Sequence, residues 1–122
     1  MLRRSILVVL ITTPLLLWAP GRPASAQEAV TVQGEIIDMA CYMAKGKKGP
    51  EHKSCAQLCA KSGVPIGVLT DAGEVYLLLD NHDDSDPYED AKKLAGSRAE
   101  ITGTKFVKQG VASIVVSGAK GL

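Results

Sequence analysis

The stretch Pro87-Tyr88-Glu89-Asp90-Ala91-Lys92-Lys93-Leu94-Ala95-Gly96-Ser97-Arg98-Ala99-Glu100-Ile101-Thr102-Gly103-Thr104 decides the fold of this chain. Proline suits the first turn of a helix, and the acidic pair Glu89 and Asp90 favours its N-terminal end. The helix is expected to close at Gly96, a residue that readily adopts the left-handed stop. From Arg98 to Val107 the pattern changes to alternation, with Ala99, Ile101, Gly103 and Phe106 on the less polar side. A helix therefore runs directly into a strand. Upstream, the polar run Asp80 to Asp86 reads as a loop. Before it, Val64–Thr70 and Glu74–Leu79 flank Asp71-Ala72-Gly73 and predict a β-hairpin. Downstream, a turn at Gln109-Gly110 leads into a short strand, Val111–Ser117. Near the start, Val30, Val32, Gly34 and Ile36 alternate with Thr31, Gln33 and Glu35 as a first strand. Five strands with a helix between the third and fourth is the chain order of an OB-fold barrel. The fold class is thus mainly β with two short helices; the alternative is a small α+β sandwich with an open sheet.

The second helix of this reading sits in an insertion at about residues 38–63, between the first two strands. Lys45–Pro50 (KGKKGP) is a loop by composition, and Glu51–Ser62 has good helix formers with Gly63 as its stop. All three cysteines and one of the two histidines lie here, spaced Cys41-x10-His52-x2-Cys55-x3-Cys59. At about 100° per residue, His52, Cys55 and Cys59 fall within an arc of roughly 60° on one helix. With Cys41 arriving from the preceding segment, four donors could close a tetrahedral Cys3His site for zinc or copper. Met39 and Met43 are candidate additional ligands, and such soft sulfur donors tilt the choice towards Cu(I).

The same residues support plainer readings. Cysteine is often buried, and Cys55 and Cys59 share a face with Leu58 and Ser62. In an oxidising compartment, Cys41 would pair with Cys55 or Cys59, adding about 2–4 kcal/mol and leaving an odd thiol. Such a stapled chain would be a non-catalytic module for a protein or small ligand. A third reading is thiol redox chemistry, acidified by Lys45, Lys47, Lys48 and Lys53. The loop at 80–86 offers carboxylates to Ca2+ but lacks the glycine and glutamate of an EF-hand, and reads as solvated. His82 reads as an exposed histidine. No motif names a catalytic residue or an organic cofactor, and an enzyme is the least supported class.

The first 26 residues read as an export signal. Arg3 and Arg4 precede an apolar run of 13 residues, Ile6–Trp18, and Ala24-Ser25-Ala26 is a cleavage pattern. The run is shorter than the ~20 residues a membrane-spanning helix needs. Residues 27–122 are then expected as one small periplasmic or secreted domain, with no transmembrane segment after cleavage and a protein as a candidate partner. Of 14 basic residues, Arg3, Arg4 and Arg22 leave with the signal, so 11 face 13 acidic ones, a net charge of −2. Only Tyr42, Tyr76, Tyr88 and Phe106 remain as aromatics. That balance opposes nucleic-acid binding, which needs a positive groove and stacking rings.

Three phrases carry a resemblance: Gly34-Glu35-Ile36-Ile37-Asp38-Met39-Ala40-Cys41-Tyr42-Met43, His52-Lys53-Ser54-Cys55-Ala56-Gln57-Leu58-Cys59, and Gly73-Glu74-Val75-Tyr76-Leu77-Leu78. With Gly103 and the helix-to-strand passage from Leu94, they resemble small exported bacterial OB-like proteins, mostly uncharacterised. The resemblance covers nearly all of residues 27–122. It implies an OB-like fold and a Cys/His cluster that belongs to the design, and it implies no activity.

Overall fold

The computed structural model describes residues 27–122, so the signal reading of residues 1–26 lies outside the described residues. Five strands close into a barrel. They are β1 (Gln27–Asp38), β2 (Ile66–Thr70), β3 (Val75–Leu79), β4 (Arg98–Lys108) and β5 (Val111–Gly121). Around the barrel the order is β1-β2-β3-β5-β4, with β4 returning to β1. All neighbours are antiparallel except β3 and β5, which run parallel with Leu78 opposite Ile114. This is an OB-fold-like barrel. Closure rules out the open-sheet sandwich, because β1 is long enough to pair with β4 along residues 27–35 and with β2 along 34–38.

Alternation along the strands builds the core. Ile36, Ile66, Val68, Leu78, Ala99, Ile101, Ile114 and Val116 are buried in one cluster. The helices contribute small residues to the buried cluster, Ala56 and Ala60 from α2 (Lys53–Lys61), and Ala91 and Ala95 from α3 (Asp86–Lys93) and the turn that follows it, with Tyr88 and Leu94 packed against it. Among the described residues, no helix is long and apolar enough to cross a membrane.

Three helices form where the sequence predicts two. The extra one, α1 (Met39–Lys45), follows β1 without a linker. Asp38 caps it, its Oδ1 accepting from the N–H of Ala40 (2.9 Å) and Cys41 (3.2 Å). Gly46 ends it in the left-handed conformation, φ 65°. The expected helix over 51–62 is also divided. Pro50–His52 form a 3₁₀ turn, and only Lys53–Lys61 are α-helical. Besides Ala56 and Ala60, two close contacts help to fix this insertion. The N–H of Gly49 donates to Glu35 Oε1 on β1. Gly96, at φ 77°, lies against Lys53 so closely that a Cβ there would stand 2.6 Å from the Lys53 Cα.

Candidate metal centre

The site lies where β1 gives way to α1. Cys41 is in the first turn of α1, held by its own N–H to Asp38. His52 ends the 3₁₀ turn, with its N–H on the Gly49 carbonyl at 3.0 Å. Cys55 follows in the first turn of α2. The donor atoms of Cys41, His52 and Cys55 all lie within 4.8 Å of one another. Three segments of irregular length thus deliver two thiols and an imidazole to one point, a set suited to zinc or copper.

Cys59 is not in that set. The expected helix over 51–62 is divided, with His52 on the 3₁₀ turn and Cys55 and Cys59 on α2. Cys59 instead borders the site, its thiol interacting with Asp38 and with Cys55. Met43 is exposed, and the Met39 sulfur occupies the space that a Gly67 side chain would need, 2.4 Å from that Cβ position. The 4.8 Å cluster itself is made of two cysteines and a histidine.

The cysteines are not core residues. Cys55 is exposed and Cys41 and Cys59 are half-buried. Leu58 is exposed too; the face of α2 that meets the barrel carries Ala56 and Ala60. All three cysteines are free thiols, and no pair among them stands at disulfide distance, which corrects the expectation of a Cys41 staple.

Asp38 is the residue that sequence reasoning missed. It follows two buried isoleucines, Ile36 and Ile37, and is itself only 1% exposed. Its sequence signal is the ordinary one of a helix cap, which conceals a second role. Asp38 Oδ2 has no hydrogen-bond partner, and neither does His52 Nε2, 3.9 Å away. They are the buried side-chain atoms without partners among the described residues. Burial works against the charged carboxylate, but the backbone N–H of Cys41 and the thiols of Cys41 and Cys59 outweigh it, helped by the N–H of Ala40. Asp38 is held below the usual carboxylate range.

The same carboxylate acts in reverse on the thiols. Interaction with Asp38, then burial, raises Cys41, with Lys45 pulling weakly the other way. Cys59 is pushed up to about 11, first by the Asp38 carboxylate, then by burial, with Cys55 adding to it. The centre therefore holds protons on these sulfurs at neutral pH. A metal cation entering it must displace them, so binding and proton release are coupled.

No family model, curated protein or solved structure matches the chain. Its function is therefore read from the geometry of this centre.

Proposed function

We propose that this is an exported, periplasmic metal-binding protein that holds zinc or copper on Cys41, His52 and Cys55, for storage, delivery or structure rather than catalysis. The convergence of these three donor atoms within 4.8 Å carries the reading. The orphaned buried polar atoms beside them support it, because such groups are normally satisfied and a cation would satisfy both. The export signal read in residues 1–26 supports the compartment. Thiol redox chemistry at Cys41 or Cys59 fits less well: a reactive cysteine needs a lowered pKa, and both are raised.

The test is metal content and free-thiol count on protein purified without chelator or reductant. About one zinc or copper per chain is expected, falling to background in Cys41→Ser and in Cys55→Ser. Metal-free protein with a disulfide, or stoichiometry unchanged in both variants, would overturn the proposal.

A further inference from the structure

We infer that Asp38 is the fourth ligand of this centre, through Oδ2, and that the site is a mixed O,N,S,S set suited to a four-coordinate divalent ion such as Zn2+. The inference rests on the metal reading above and adds to it a residue and an ion class.

The two oxygens of Asp38 have separate circumstances. Oδ1 is occupied by the N–H groups of Ala40 and Cys41 at the start of α1. That fixes the carboxylate in place and leaves Oδ2 buried and without a hydrogen-bond partner, with the thiols of Cys41 and Cys59 close to the carboxylate. Opposite it stands His52 Nε2, also buried and unpartnered, at 3.9 Å. This separation is too long for a hydrogen bond. Two light ligands of one tetrahedral ion, each at about 2.0–2.2 Å, stand roughly 3.3–3.5 Å apart. Closing the gap by a few tenths of an ångström places both on one ion. Cys41 and Cys55 complete the set: their sulfurs and a ring nitrogen of His52 lie within 4.8 Å of one another, and Asp38, outside that group, joins it as the gap to His52 closes.

Charge and donor hardness select the ion. Two thiolates and a carboxylate carry three negative charges, which a dication offsets better than Cu(I). Carboxylate oxygen also suits a borderline divalent ion more than a soft monovalent one. Cys59 stays outside as a neighbour of Asp38 and Cys55. The backbone bonds to Oδ1 act as the outer support that orients a ligating carboxylate.

Co(II) is the probe, titrated into the purified, metal-free protein and followed by its absorption. The wild type is expected to show the visible bands of a tetrahedral ion and sulfur-to-metal charge transfer for two thiolates. Asp38→Asn keeps the helix cap but removes the charge. It should weaken Co(II) and Zn(II) binding at least tenfold, by the scale of ligand-shell substitutions, with much less effect on Cu(I). Cys59→Ser should leave the Co(II) spectrum unchanged. Charge transfer for three thiolates in the wild type, one of them lost in Cys59→Ser, overturns the assignment and makes Cys59 the fourth ligand. Because thiolates are counted on the wild type, that count decides between Asp38 and Cys59 even if Asp38→Asn does not fold. Unaltered Co(II) affinity in a folded Asp38→Asn overturns the assignment as well. Absence of any Co(II) or Zn(II) binding by the wild type would instead sink the metal-binding proposal itself.

Discussion

At the residue scale, one buried carboxylate raises two of the three thiols, Cys41 and Cys59. Cys55 is exposed, whereas Cys59 is half-buried and raised to about 11, chiefly by Asp38. Only the thiolate reacts with an alkylating agent. Two pH units above the ordinary thiol value of 9 mean roughly a hundredfold less thiolate at Cys59 near neutrality. Alkylation of metal-free protein at pH 8, followed by peptide mass spectrometry, should therefore modify Cys55 first and Cys59 last, by at least about tenfold in rate. The Cys59 rate should keep climbing to pH 11, and Asp38→Asn should accelerate it at pH 8. Equal rates at all three positions would show that the carboxylate does not hold these protons. The sequence discloses the sulfurs and the imidazole, because Cys and His in one insertion announce themselves. Asp38 does not: an aspartate before a helix has an ordinary explanation, and only its burial and its unpartnered oxygen show that capping uses half of it.

The elements were legible to different degrees, for physical reasons. The hairpin at 64–79 carries its own turn chemistry in Asp71-Ala72-Gly73, and its two strands form as Ile66–Thr70 and Val75–Leu79. Helix α3 follows from Pro87 and the acidic first turn. By contrast, α1 has seven residues and buries none of them, so no apolar period marks it. The end of β5 is likewise silent, since Gly118-Ala119-Lys120-Gly121 has no strand propensity and is held by pairing with residues 99–102 of β4. The placement of α2 also depends on a long-range contact, which a single substitution can probe. Gly96→Ala forces a side chain into a positive φ and against Lys53, 2.6 Å from its Cα. The expected cost is about 2 kcal/mol by urea denaturation, from overpacking with backbone strain added. Gly63→Ala also faces a positive φ, 94°, but meets nothing within 4 Å. It should cost about 1 kcal/mol, and only Gly96→Ala should also weaken metal binding, by displacing α2. Equal losses in the two variants would mean that contact with Lys53 contributes nothing to stability.

For the whole molecule, the barrel core and an ion at the proposed centre would stabilise the fold by different physics. Residues 27–122 give a domain of modest size, whose stability should be about 5–15 kcal/mol. Ile101 is fully buried in the strand core, so Ile101→Ala should remove about 2–5 kcal/mol of that. A metal bound at the proposed centre would act otherwise. An ion that binds only the folded chain adds free energy set by its concentration relative to its dissociation constant, about 2.7 kcal/mol at a hundredfold excess. In a domain of this length each kcal/mol moves the thermal midpoint by about 4–8 °C, so saturation should raise it by roughly 10–20 °C. Because the increment depends on affinity and not on the core, Zn2+ should raise Ile101→Ala by as much free energy as the wild type, from a lower starting point. Cys55→Ser should show no rise while keeping the metal-free stability close to that of the wild type, since Cys55 is exposed and packs little. Calorimetry with and without Zn2+ on the three proteins reads all of this directly. A Zn2+ increment that persists in Cys55→Ser would place the ion elsewhere on the surface. One that vanishes in a still-folded Ile101→Ala would mean that core packing holds the proposed ligands in register, through the Ala56 and Ala60 face that α2 lays on the same cluster.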